Sequence, residues 1–294
     1  MLAGRVWRLG GEVMRADRRV SVTEIAVWRE CRWRHEQHYE QRLQLIPDPE
    51  RDTNYLASGS AIHFGIEYGL HQGKGNSVEA AISAARTYLE SHVGETTRLL
   101  PGVERAIAGV PQEVWDTVSP QTEGELVQDY WHWEGDTSNS VTVVGVPDLW
   151  YWKEGEGIFI TDYKSTSKDE QDRLEKYELW NMQLPFYGVL VTDYWAAKLD
   201  LYPPIYLRHL VLSTRGKHAV GSYKLLTAAR TKQAREMMVK AAREIVEAKE
   251  QSFLDAAPSF GCSFCDYERL CTAYITGADV AGVRKESYRL RERR

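Results

Sequence analysis

The chain has 294 residues, 43% of them hydrophobic and 27% charged, with a formal net charge of −5. That composition describes an ordinary globular protein, large enough for one sizeable domain or a domain with a small annex. An acidic total argues against a protein that coats duplexes, although it leaves local basic patches free to bind polyanions. No stretch approaches the roughly twenty apolar residues of a membrane span, and the five Arg of the first twenty residues flank no apolar core of signal-peptide type. The expectation is a cytoplasmic protein without membrane contact. In such a reducing compartment cysteines are seldom disulfides.

The elements follow in chain order. Ser21-x-x-Glu24 is a capping box. It opens a predicted helix over 21–43, with Ile25, Trp28, Arg32 and His35 on one side and Cys31 beside them. Pro47-Asp48-Pro49 ends it. Ile62, Ile66 and Leu70 repeat every four residues and predict a helix over 60–71. Ser77 caps a third helix, and helical character continues over about 102–133. The run from Val141 to Trp152 is β-rich, 154–157 reads as a turn, and 158–164 is a second strand. A long helix is expected over 168–194, strands over 205–212 and 218–225, and a further helix over 228–251. The segment 284–294, with six basic and two acidic residues, reads as a solvated or disordered end. Helices first, then a mixed sheet flanked by helices, make an α/β architecture with a helical N-terminal part.

Four cysteines stand in the chain: Cys31 alone, then Cys262, Cys265 and Cys271 as Cys-x-x-Cys-x5-Cys. Four thiolates suit a tetrahedral zinc or an iron–sulfur cluster. The clustered three need a fourth ligand, and a thiolate in that role must be Cys31, which ties the two ends of the chain together. Spacing leaves zinc and iron both open.

The hairpin holds the second constellation. Asp148 lies seven residues before Gly155 and Asp162 seven after. With the turn centred there, the two carboxylates face each other across adjacent strands, about 5 Å apart at Cβ. Like charges so placed repel, and a divalent cation between hard oxygen ligands, Mg²⁺ or Mn²⁺, resolves the repulsion. Lys164, two residues beyond Asp162, points to the same side. There it can orient a water or stabilise charge on a phosphate. His63 and Glu67 share a helical face, with Gly59 four residues before His63, and Gln183 and Tyr187 share another. Pro185 between them indicates a kink or a helix start nearby.

The ordered set of motifs resembles the RecB-like branch of the PD-(D/E)XK nucleases, in particular its iron–sulfur members. It runs from Cys31, through Gly59-x-x-x-His63, Gly145-Val-Pro-Asp148, Asp162-Tyr-Lys164 and Gln183-x-x-x-Tyr187, to the cysteine trio. Those members include the CRISPR adaptation exonucleases and a subunit of bacterial recombination nucleases. The resemblance implies a restriction-endonuclease-like mixed central sheet flanked by helices, closed by a C-terminal iron–sulfur segment. It divides the chain into an extension over 1–20, one nuclease domain over 21–279 and a basic tail over 280–294. It implies that His63, Asp148, Asp162 and the Tyr163 carbonyl bind Mg²⁺ or Mn²⁺, with Glu67 behind them. Lys164 is implied to act on the attacking water, and Gln183 and Tyr187 to support the site and contact DNA. It also makes Cys31, Cys262, Cys265 and Cys271 the holders of a [4Fe–4S] cluster, and only here is iron preferred to zinc. Arg32, Ser263 and Asp266 stand where relatives often carry Pro, which bears on cluster packing.

The function implied is metal-dependent hydrolysis of DNA, as an exonuclease preferring single strands or ends. Recombination, repair, CRISPR adaptation and a phage setting are all open contexts, and a recombinase, a helicase or a CRISPR adaptation protein are the candidate partners. The alternatives are a DNA-binding or assembly protein with a silent site and a zinc-stabilised endonuclease.

Overall fold

The apolar run that begins at Val141 does not form one strand. It is cut at Val146-Pro147-Asp148, and the two halves enter different sheets. In the computed structural model the described residues are 19–46, 54–72, 77–92, 98–117, 120, 125–130, 141–166, 174, 181–199, 202–248, 262 and 265–291. Strand β4 (Val141–Gly145) pairs antiparallel with β3 (Leu126–Tyr130) and parallel with β1 (Arg19–Ser21). Strand β5 (Leu149–Lys153) turns back through 154–156 into β6 (Gly157–Thr166), in a register from Leu149 opposite Thr161 to Lys153 opposite Gly157.

The long β6 is the centre of the larger sheet. On its other side runs β7 (Ile205–Ser213), parallel to it for nine residue pairs. The connection between them carries helix α7 (Gln183–Leu199), since parallel neighbours need a crossover. Two short strands, β8 (Ala219–Val220) and β9 (Lys224–Leu225), close the far edge against β7. The two-residue period of β6 divides the protein. Ile158 and Ile160 pack with Phe186, Leu190, Met238 and Ile245, beneath α7 and the long α8 (Ala228–Ala248). Tyr163 packs on the opposite face, in a core built by α3 (Asn54–His71), α4 (Ser77–His92), α5 (Leu100–Ala108) and α6 (Gln112–Trp115).

A third, smaller core joins the two ends of the described chain. Helix α1 (Val22–Glu30), capped by the Ser21 hydroxyl on the Glu24 N–H at 3.0 Å, stops at Cys31. Cys31 is extended (φ −162°, ψ 111°) and caps the short α2 (Arg32–His35) through its sulfur. A single π-helical stretch, Glu36–Glu40, follows, and then β2 (Leu43–Leu45). After α9 (Glu268–Thr276) and α10 (Val280–Ser287), β10 (Tyr288–Leu290) pairs antiparallel with β2. Trp33, Leu43, Tyr267, Leu270 and Tyr288 fill the space between.

Several expectations change against this structure. The helix over 21–43 is broken at Cys31 and ends in a strand, because the chain reverses to bring Cys31 and β2 to the C-terminal segment. The helical reading of 102–133 fails at β3, where Leu126 packs inward in the sheet core, while 131–140 lies outside the described residues. The segment read as a solvated tail instead contains the second half of α10 and all of β10, with Arg284 and Arg289 exposed while Tyr288 is buried. The strand expected over 218–225 is interrupted between Val220 and Lys224, and helix α7 runs on to Leu199. The first part of the helix expected from 168 lies almost wholly outside the described residues. Strand β1 begins two residues before the domain boundary expected at 21.

Helices α3 and α4 cross at close range through glycines. A Cβ on Gly69 would lie 2.4 Å from the Ser77 carbonyl oxygen, and one on Gly65 would lie 2.6 Å from that of Ala81. Backbone cannot swing aside as a side chain can. Gly69→Ala is therefore expected to destabilise the fold by about 1–3 kcal/mol, the cost of overpacking, in spite of the roughly 1 kcal/mol that Ala gains over Gly inside a helix. Urea denaturation of the two proteins measures the difference.

Candidate active site

The β5–β6 register, continued one step past Leu149–Thr161, puts Asp148 opposite Asp162. Asp148 turns its Oδ2 to the Tyr163 backbone N–H, which donates to it at 2.6 Å. Its Oδ1 lies 3.3 Å from His63 Nδ1, on α3. The strand thus fixes one carboxylate oxygen and the helix faces the other. The ring of His63 stands edge-on to that of Tyr163, with centroids 5.9 Å apart. Gly59 explains how α3 comes so close to β6: a Cβ there would lie 2.8 Å from Ser165 Oγ. Glu67, one turn on from His63, lines with it an open cavity of about 420 Å³, shared with Gly59, Ser60, Phe64 and Tyr88.

Asp162 is 2% exposed. Lys164 Nζ lies 2.8 Å from its Oδ2 and donates to its Oδ1 at 3.1 Å. Burial raises the Asp162 pKa and the Asp148 charge adds to the rise; Lys164 opposes both, and the carboxyl ends above the ordinary range. His63 is also raised. Burial works against its charge, and the hydrogen bond and charge of Asp148, helped by Asp162, outweigh it.

Helix α7 supplies the rest. Asn181 Oδ1 accepts the Gln183 N–H at 2.8 Å and starts the helix, and Pro185 sits in the first turn, where no intrahelical donor is lost. Gln183 Oε1 accepts from Lys164 at 3.2 Å, and its Nε2 donates to the Tyr187 hydroxyl at 2.8 Å. Burial, with the charges of Asp162 and Asp148 nearby, pushes the Tyr187 hydroxyl up and keeps it protonated. Gly145 lets β4 pass beneath this helix, since a Cβ there would lie 2.6 Å from Leu190 Cδ1 and 3.1 Å from the Tyr187 ring.

The expected set is thereby brought together, with His63, Asp148, Asp162, Lys164, Gln183 and Tyr187 linked by direct contacts. Two further residues join it. His209 is the β7 partner of Asp162, its Nε2 3.7 Å from Asp162 Oδ2. Thr23 accepts from Gln183 Nε2 at 3.4 Å. On the reverse face Arg208 is buried, with its Nε on Thr161 Oγ1 (3.3 Å), its Nη1 on Glu113 (2.7 Å) and its plane 4.2 Å from the Tyr223 ring. The polar Arg208-His209 pair inside an otherwise apolar strand is the signal that could have found His209. Asp148, Asp162, the His63 ring and the Tyr163 carbonyl are the donors that suit a hard divalent cation. To bind there, such an ion must share Asp162 with Lys164, which now holds both oxygens.

The four cysteines carry no disulfide. Cys31, Cys265 and Cys271 pack against the third core. Burial raises the Cys271 thiol, and the charges of Cys31, Cys265 and Cys262 raise it further. Cys31, Cys262 and Cys265 thus lie close enough to Cys271 to raise its thiol. Tyr267 donates to the Leu43 carbonyl (2.7 Å) and lies 2.9 Å from His38 Nδ1.

Comparison with known proteins agrees with this geometry. The profile of the PD-(D/E)XK nuclease superfamily matches residues 19–272, and the chain belongs to that superfamily. Among solved structures it is similar to a protein from Eubacterium rectale described as a "Putative exonuclease", at 12% identity and a TM-score of 0.52, the match covering 81% of this chain and 84% of that one. Another, SSO0001, shares 13% identity over 87% of this chain and 86% of its own, with a TM-score of 0.42. The likeness to the Eubacterium rectale protein is one of fold. A search of curated proteins finds no significant match.

Two imidazoles, His209 buried and His38 half-buried, predict an acid sensitivity. Burial, helped by Arg291 and Arg34, lowers His38 to about 4, and burial with Lys164 and Lys224 lowers His209 to about 4. The unfolded chain takes up these protons near pH 6.5 and the folded chain does not. Their contribution is therefore fully present above pH 6.5 and is lost as pH falls toward 4. Asp162, raised, acts in the opposite sense, so the comparison of variants is the readout. His38→Gln is expected to flatten the fall of the urea midpoint between pH 6.5 and 4.

Proposed function

We propose that this chain is a metal-dependent DNA nuclease, an exonuclease acting on single strands or ends. The observation that carries the reading is the Asp148–Asp162 pair on facing strands with Lys164 Nζ held against Asp162. His63, Asp148, Asp162 and the Tyr163 carbonyl are the residues that would hold Mg²⁺ or Mn²⁺. When bound, the ion supplies Lewis-acid activation of water and phosphate. Lys164, kept in line by the Gln183 amide, orients the attacking water and meets charge developing on the phosphate. Tyr187, protonated, locks Gln183, and both lie where the DNA backbone would pass. Glu67 stands behind His63.

Single-strand preference is supported by aromatic rings beside His63. Phe64 and Tyr68 are exposed on α3, and Phe64 lies 5.4 Å from Tyr88, which stacks on His92 at 4.1 Å. Unpaired bases stack on such faces; duplex bases are hidden from them. No helix of the described residues is long and apolar enough to cross a membrane, and we read the protein as cytoplasmic. A recombinase, a helicase or a CRISPR adaptation protein is the partner class that suits a nuclease of this size, in recombination, repair or spacer acquisition. The cysteines are assigned to a structural [4Fe–4S] cluster that staples the N-terminal helices to α9.

End-labelled single- and double-stranded DNA, digested with Mg²⁺ or Mn²⁺ by anaerobically purified protein, tests the reading. Cleavage should need the metal and prefer single strands, and Lys164→Ala should lose about 10²-fold or more in kcat, the scale of removing one transition-state contact. Cleavage unaffected by Lys164→Ala or by chelation would sink it. Cys31→Ala is expected to lose the brown iron chromophore and much solubility; a colourless, zinc-containing wild-type protein would instead return the site to zinc.

A further inference from the structure

The break at Cys31 and the π-helical stretch after α2 bring together three residues that the catalytic reading does not use. Glu24 of α1, His35 at the end of α2 and Glu40 at the end of the π-helical stretch each offer a ligand atom, and these atoms lie within 4.8 Å of one another. In a regular α-helix the residue five beyond His35 sits about 140° round the axis, on another face. The wider π-winding, a feature often found at functional sites, returns it toward His35.

Burial makes the grouping costly without a ligand. Glu24 is 5% and His35 1% exposed. His35 Nε2 lies 2.9 Å from Glu24 Oε1, and its Nδ1, equally buried, has no hydrogen-bond partner. A buried ring nitrogen without a partner is costly to hold. Trp28 and Tyr39 clamp the ring from two sides, each with its centroid 5.0 Å away. A divalent cation on a neutral imidazole and two carboxylates balances the charge in full.

We propose that Glu24, His35 and Glu40 form a second cation site, distinct from the hairpin carboxylates and from the cysteines. The mixed nitrogen and oxygen donors select a transition metal of the Mn²⁺ or Zn²⁺ kind over Ca²⁺. Its place is structural. It fastens α1 to α2 and the π-helical stretch, the segment that carries Thr23 toward Gln183 on one side and Cys31 toward α9 on the other.

The test is Mn²⁺ binding by electron paramagnetic resonance in full-length Asp148→Asn/Asp162→Asn protein, which removes the hairpin carboxylates from the count. Mn²⁺ is a poor partner for thiolates, so the cysteines do not compete. One ion per chain is expected, with a nitrogen coupling from a single imidazole. His35→Gln should abolish that coupling and weaken binding at least tenfold. Glu40→Gln, at a half-buried position, should weaken binding likewise and keeps the experiment decisive if the buried variant fails to fold. No bound ion in the hairpin variant, or binding undiminished by Glu40→Gln, overturns the site and leaves Glu24–His35 as an ion pair alone.

Discussion

Everything at the active site hangs on one register, the pairing of β5 with β6. It sets Asp148 against the Tyr163 N–H and aims Asp162 and Lys164 to the same side of a buried strand. A slip of one residue would send Asp162 into the α3–α6 core and Tyr163 into the α7 core. The register is protected from both ends. The turn over 154–156 fixes the hairpin length, and the nine-pair alignment of β6 with β7 fixes it from the other side. Two carboxylates that repel are held face to face because many apolar contacts outweigh the repulsion.

The protein divides its labour along the same strand. One face of β6 meets the aliphatic side of α7 and α8, the other meets the glycine-spaced pair α3 and α4. Each layer lends one end to the chemistry, α3 through His63 and α7 through its first residue, Gln183. Gly59 and Gly145 lie where each helix comes close, against the Ser165 hydroxyl and the Leu190 and Tyr187 side chains. The motif glycines are therefore part of the catalytic geometry in a mechanical sense: they set the distance at which helices approach the sheet.

Much of this was legible before the structure. The equal spacing of Asp148 and Asp162 about Gly155 predicts the hairpin, and the period of two assigns Lys164 its side. The four-residue repeat of Ile62, Ile66 and Leu70 gives α3. What escaped depends on partners distant in sequence. Cys31 breaks a helix that local propensity would continue, because its sulfur belongs to a core supplied by residues 265–288. The terminal arginines suggested solvent, yet the alternate residue Tyr288 carries β10 into that core. His209 acquires meaning only through its alignment with Asp162 in a parallel pair, which no local pattern announces.

The pairing of β2 with β10 has a consequence for biosynthesis. Strand β2 emerges from the ribosome early and can find no mate until Tyr288–Leu290 follow, some 240 residues later. Residues 43–45 must therefore wait for their partner strand while the intervening residues are made, and Cys31 waits with them for the cysteine trio. The sheet of β5, β6 and β7 is complete before that, so the hairpin carboxylates can be in place while the annex is still unformed. Closure of the annex thus follows completion of the central sheet, and any centre bound by the four cysteines can be inserted only after residues 262–271 have been made.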